Sequence, residues 1–300
     1  MHQALAKKFG HLPFLTIANP ANGVPTLKIS TPAATAGMSL FGAQVLSWAP
    51  RDHQNVLWLS PSTSLDGSAP IRGGIPVCWP WFGPHPEDPS APAHGIARTA
   101  LWNLDSATLD DETAILKFSG PQAPSQQSLG QPGLQLSLGV RIGEILDLAL
   151  TTTNIGTQSA TLSQALHSYF AVGAIQHISI DGFDKSTYLD KLDDGRTKQQ
   201  SGLVQFEEEV DRIYNIAPTT ILRDPLLSRE IKITSQGTSR STVIWNPWSA
   251  KSQRLDDMPD DGYKTMVCIE TANVAADTIK LPPGASHTLR ALISVATLTD

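Results

Sequence analysis

A two-residue hydrophobic period runs through most of this chain and limits its fold more than any other feature. From Ile145 to Thr151 the order puts Leu146, Leu148 and Leu150 on one face, with Asp147 and Thr151 on the other. That is the pattern of a strand with one face buried. The run reaches a turn at Asn154-Ile155-Gly156-Thr157 and a second run starts at Ala160, so an antiparallel hairpin is expected there. Further strands are expected over 27–31, 38–48, 113–118, 134–142, 160–170, 177–181, 203–206, 219–223, 230–235, 241–245, 264–271 and 287–297. Gly, Pro, Asn or Asp separate them, and 22 glycines with 22 prolines leave little room for helix. The pattern predicts an all-β fold, a large antiparallel β-sandwich or barrel. The polar stretch 119–133 lies between strands without a change in composition, so it reads as a long hairpin loop. A single domain over residues 1–300 is expected.

The segment Pro70 to Pro84 breaks the pattern. It carries four prolines together with Trp79, Trp81 and Phe82. Missing backbone donors exclude a central strand, so an ordered loop with an aromatic wall is expected. Loops of this kind on a β scaffold tend to carry function.

Charge and cysteine content narrow the classes. With 22 Lys+Arg against 28 Asp+Glu, the net charge of −6 argues against nucleic acid or an anionic membrane as partner. Cys78 and Cys268 form no CxxC pair and sit in apolar stretches, which suits buried free thiols. The first residues lack the apolar core of a signal peptide, and no run approaches the roughly 20 apolar residues of a membrane span. A cytoplasmic monomer is expected. No GxSxG, GxxxxGK[ST], GxGxxG or HExxH occurs, so a nucleophilic hydrolase, an NTPase and a zinc protease lack support.

Six residues stand out for chemistry. His167, in Gln164 to Phe170, shares a face with Ala165 and Tyr169. It is either a histidine satisfied by one backbone carbonyl or a general acid or base. Glu270 lies in the apolar run Met266 to Val274. There a carboxylate must be exposed, hydrogen-bonded or used, and burial would raise its pKa toward that of a general base. Arg72 and Arg98 lie near glycines, and their guanidinium forks suit phosphate or carboxylate. His94 precedes Gly95 and could bind a ligand, ligate a metal or cap a turn. A cupin-type cluster of closely spaced ligands is missing, so no metal is expected. Asp211 follows the acidic run Glu207 to Glu209, which would ordinarily be a solvated face, but its neighbours Val210 and Ile213 are apolar.

Eight blocks in order carry a resemblance. They are Phe41 to Trp48, Ile71 to Pro76, Trp79 to Gly83, His94 to Arg98, Leu166 to Phe170, Val210 to Tyr214, Trp245 to Trp248, and Tyr263-Lys264 leading to Val267 to Glu270. In these the chain resembles the aldose 1-epimerase (mutarotase) superfamily, most closely its glucose-6-phosphate 1-epimerase (hexose-6-phosphate mutarotase) branch. The resemblance implies a galactose-mutarotase-type β-sandwich and an isomerase that needs no cofactor and no metal. It implies His167 as general acid toward the ring oxygen and Glu270 as general base toward the anomeric hydroxyl. It further implies His94 and Asp211 as sugar contacts, with Arg72 and Arg98 on the 6-phosphate of a small-molecule hexose phosphate. One departure is Ala93, where some members carry glutamine, so one substrate contact differs. A mutarotase of a non-phosphorylated sugar and a non-catalytic sugar-phosphate-binding module are the alternative readings.

Overall fold

The computed structural model describes residues 2–18, 23–121, 133–237 and 239–298. Two eight-stranded antiparallel sheets dominate it. The first, here the site sheet, runs in the order Arg196–Gln199, Thr187–Asp190, Val210–Tyr214, Ser241–Asn246, Met266–Asn273, Gln164–Leu166 and Val77–Cys78. Tyr169–Ala171 also pairs with Met266–Asn273. The second, the back sheet, runs Ser179–Asp181, Thr220–Asp224, Arg229–Gly237, Ser286–Thr297, Ile145–Asn154, Leu134–Ile142, Thr113–Ser119 and Asn103–Asp110. A four-stranded meander spans Leu15–Ala18, Thr26–Ser30, Ala34–Ser39 and Gln44–Pro50.

Alternation explains how the two large sheets meet. Leu146, Leu148 and Leu150 of the back sheet are buried in one cluster with Val267, Ile269, Ile244, Leu166 and Phe170 of the site sheet. Each such side chain contributes about 1.5–3 kcal/mol by leaving water. The intervening residues of the site sheet, Cys268, Trp245 and Val243 among them, belong to two separate clusters on its other face. The site sheet is therefore apolar on both faces, and its second face is free to carry the chemistry.

The β-sandwich expectation holds, and several local expectations change. The 145–154 run does not turn back on the run from Ala160. It pairs with Leu134–Ile142 and Ser286–Thr297, which occupy both of its edges, while Ala160–Leu162 pairs with Ile279–Leu281. The 38–48 run is two strands, because Gly42 and Ala43 take positive φ and turn the chain between them. The 160–170 run is three short strands, and 203–206 makes only one bridge, from Val204 to Ile180. Strands also form over Leu15–Ala18, Asn103–Asp110, Thr187–Asp190, Arg196–Gln199 and Val210–Tyr214, beyond those expected. An N-terminal helix, His2–Phe9, buries Leu5 and Phe9 one turn apart. Of the expected 119–133 loop, residues 122–132 lie outside the described residues; the strands flanking it, Thr113–Ser119 and Leu134–Ile142, pair with each other.

The Pro70–Pro84 segment is a loop, as expected, apart from the two-residue strand Val77–Cys78 at the sheet edge. Trp79 and Trp81 are buried and donate to Thr152 Oγ1 and the Pro92 carbonyl, at 2.9 Å each. They support the loop, whereas Phe82 stands edge-on to His94 at 4.8 Å. Gly95 lets the chain pass against Trp79. Its φ is +76°, and an added Cβ would lie 2.0 Å from the Trp79 carbonyl oxygen. Gly284 has a similar φ of +73° but open space around it. Gly95→Ala is therefore expected to destabilise by at least about 2 kcal/mol more than Gly284→Ala, since backbone overlap adds to the strain both share. Chemical denaturation of the two variants measures the difference.

Candidate active site

On the outward face of the site sheet the alternation that buries Val267 and Ile269 turns Cys268, Glu270 and Ala272 the other way. Register brings Trp245 opposite Cys268, Val243 opposite Glu270 and Asp211 opposite Trp245. Tyr169 pairs with Cys268 and Ala165 with Ala272. His167 lies in the break between Gln164–Leu166 and Tyr169–Ala171, where its N–H donates to the Pro76 carbonyl at 3.0 Å. The break frees its side chain to lean along the face toward Glu270.

The result is a contact of 3.4 Å between His167 Nε2 and Glu270 Oε1. His167 is 8% exposed and Glu270 1%. His167 Nδ1 and Glu270 Oε2 are buried without a hydrogen-bond partner among the described residues. Buried polar atoms are rarely left so, and a polar ligand would satisfy them. The imidazole stacks on the Tyr169 ring at 4.8 Å and 11°, with Trp245 edge-on at 6.1 Å and the His94 ring at 5.8 Å.

Burial governs the protons here. It pushes the Glu270 carboxyl well above its ordinary range; nearby Asp211 adds to the rise and Lys191 opposes it. It pulls His167 well below 6.5, helped by His94, Arg98 and Arg72. His94 falls to about 3, through burial and then Arg98, Lys191 and Arg72. His94 Nδ1 accepts the Gly83 N–H at 3.3 Å, which leaves the ring proton on Nε2 as a donor. Asp211 is raised by burial and held back by Lys191, whose Nζ lies 3.3 Å from Asp211 Oδ2.

Cations flank this pair. Arg72 Nε donates to Asp257 Oδ1 at 3.0 Å and Nη1 to Tyr169 Oη at 3.1 Å. Gln44 fixes the loop beneath, donating to the carbonyls of Ile71 and Gly73 at 3.3 and 2.7 Å. Arg98 Nη2 donates to the Ala93 carbonyl at 2.7 Å, and its Nε is buried without a partner among the described residues. Lys191 Nζ lies 5.9 Å over the Phe82 ring. The arrangement sets a buried imidazole 3.4 Å from a buried carboxyl, beside three cations that suit an anion.

All six residues singled out from sequence fall in this region. Asp211 is on a buried strand and not on a solvated face. Tyr169, Asp257 and Lys191 were not among the six. Lys191 follows Asp190 in a polar, turn-like stretch, and only register shows that it faces Asp211. Cys78 and Cys268 are buried and free, as expected.

Comparison with known proteins matches this picture. The family model described as aldose 1-epimerase matches residues 25–294. A protein of Escherichia coli (strain K12) named "Putative glucose-6-phosphate 1-epimerase" is 34% identical over 285 residues, 92% of this chain and 94% of its own. One of the same name from Salmonella typhimurium (strain LT2) is 34% identical over 250 residues, 83% of each chain. The crystal structure of a "putative mutarotase" from Salmonella typhimurium has a TM-score of 0.88 at 30% identity, covering 98% of this chain and 99% of that one. No helix among the described residues is long and apolar enough to cross a membrane.

The electrostatics set an expectation for the free protein. In an NMR pH titration, His94 should titrate at about 3 and His167 well below the ordinary imidazole value of about 6.5. The Glu270 carboxyl should still be protonated well above 4.5. An imidazole at either position that titrates near its unperturbed value of about 6.5 contradicts this account.

Proposed function

The chain belongs to the aldose 1-epimerase family, and on that premise we propose that it interconverts the α and β anomers of a hexose 6-phosphate, glucose 6-phosphate foremost. Aldose mutarotation is the reaction of the family. The phosphate is the finer step, supported by Arg72 and Arg98 beside the acid/base pair and by the names of the two relatives. The observation that carries the reading is the 3.4 Å contact of His167 with Glu270 on a face flanked by cations.

Ring opening needs one proton taken from O1 and one given to the ring oxygen. Glu270 takes the first and His167 gives the second. The C1–O5 bond breaks and C1–O1 becomes a carbonyl. After the aldehyde turns about C1–C2, Glu270 returns its proton to O1 and His167 recovers one from O5. The pair starts as imidazolium and carboxylate, passes through imidazole and carboxylic acid, and ends as it began. Each proton given up is matched by one recovered, so no other acid or base is consumed.

Burial alone favours the neutral form of the pair, with the proton on Glu270. A phosphate dianion on Arg72 and Arg98 offsets two of the charges that depress His167. Substrate binding thereby moves the proton toward His167 and prepares the ring-opening form. His94 donates from Nε2 to a sugar hydroxyl, and Asp211, beside Lys191, accepts from others.

Anomer exchange followed by NMR tests the assignment. Glu270→Gln should lower kcat for glucose 6-phosphate by roughly 10²–10⁴, the range for one positioned proton transfer. Arg72→Ala with Arg98→Ala should lower kcat/KM for glucose 6-phosphate by at least about 100-fold, and for glucose far less, since each charged hydrogen bond is worth about 1.5–3 kcal/mol. Equal losses on both sugars would refute the phosphate role. No acceleration of any sugar by the folded wild type would refute the enzyme reading.

A further inference from the structure

Tyr169 is 2% exposed and makes two contacts that the acid/base chemistry does not use. One face of its ring stacks on His167 at 4.8 Å and 11°. Its hydroxyl accepts a hydrogen bond from Arg72 Nη1 at 3.1 Å. The ring has little freedom to move. Trp58 stacks on it at 6.0 Å and 19°, Trp245 stands edge-on at 6.0 Å, and its backbone pairs with Cys268 in the sheet. Arg72 is held as firmly, by Asp257 at Nε and by its own N–H, which donates to Thr63 Oγ1 at 2.8 Å.

We propose that Tyr169 is a positioning residue that couples Arg72 to the imidazole of His167. The hydroxyl sets where the Arg72 fork presents its remaining N–H groups. The ring sets the plane of the imidazole and keeps water from that side of it. A phenylalanine would serve the second role but not the first, and a leucine neither. The proposal rests on the assignment of Arg72 to the phosphate given above. It goes beyond that assignment in making one aromatic side chain serve both the anion subsite and the proton donor.

Tyr169→Phe and Tyr169→Leu separate the two roles, with glucose 6-phosphate and glucose as substrates and thermal melting as a check on folding. In Tyr169→Phe the ratio of kcat/KM for glucose 6-phosphate to that for glucose should fall about tenfold, the scale of one hydrogen bond to a charged group. The fall should lie in KM, with kcat within about threefold of wild type. In Tyr169→Leu kcat should fall at least about tenfold on both sugars. The acid limb of its pH profile should move up toward about 6.5, because water now reaches an imidazole that burial had held low. Tyr169→Phe should restore the wild-type profile.

A merely structural tyrosine would lower both substrates equally and leave the profile in place. An unchanged substrate ratio in Tyr169→Phe, with a wild type that prefers the phosphosugar, overturns the proposal alone. A wild type that accelerates both sugars equally overturns the phosphate assignment, and the coupling to Arg72 with it. If Tyr169→Leu fails to fold, the isosteric Tyr169→Phe decides.

Discussion

A carboxyl group 1% exposed on an interior strand of an eight-stranded sheet sets the terms for the rest of this structure. Left ionised and alone, it would cost several kcal/mol. The fold answers with His167 at 3.4 Å, and burial disfavours the charged form of both groups. Other charges stand back. Asp211 disfavours a second anion nearby, and Lys191 offsets that effect. Arg72, Arg98 and His94 weigh against an imidazolium. These charges, Lys191 apart, add to burial in favouring the neutral form of the pair, and none of them touches its proton.

Much of this was legible in the sequence, for a physical reason. A strand buried on one face must alternate, so the runs at 113–118, 134–142 and 287–297 all became strands with small changes at their ends. Pairing was less legible. The turn residues after Asn154 suggested a local hairpin, yet two distant strands take both edges of that run. Local chemistry cannot register such competition. Polar edge strands such as Arg196–Gln199 carry no alternation and so gave no signal.

The site shows the same division. His167, Glu270, Arg72, Arg98, His94 and Asp211 lie in ordered motifs, and the motifs pointed to them. Tyr169 was part of a motif, but its dual contact depends on a ring plane and a register that no one-dimensional pattern encodes. Lys191 follows the end of Thr187–Asp190, and only the pairing of that strand with Val210–Tyr214 sets Asp211 against it. The aromatics of the Pro70–Pro84 loop read from sequence only as a wall, with no role attached. Two of the three aromatics are anchors instead, since an indole N–H buried in a loop needs an acceptor.

The site sheet draws its neighbours from remote parts of the chain. Val77–Cys78 lies beside Gln164–Leu166, which lies beside Met266–Asn273. Closing such distant segments must precede any gain from their contacts, so topology of this kind folds slowly. It also means that no short segment of the chain brings His94 and Glu270 together. Formation of the His167–Glu270 contact and completion of the sheet become one event during folding. A nascent or truncated chain that lacks the Met266–Asn273 strand therefore lacks both Glu270 and the edge on which Tyr169 is set, and the 3.4 Å contact of His167 with Glu270 reports the fully assembled sandwich.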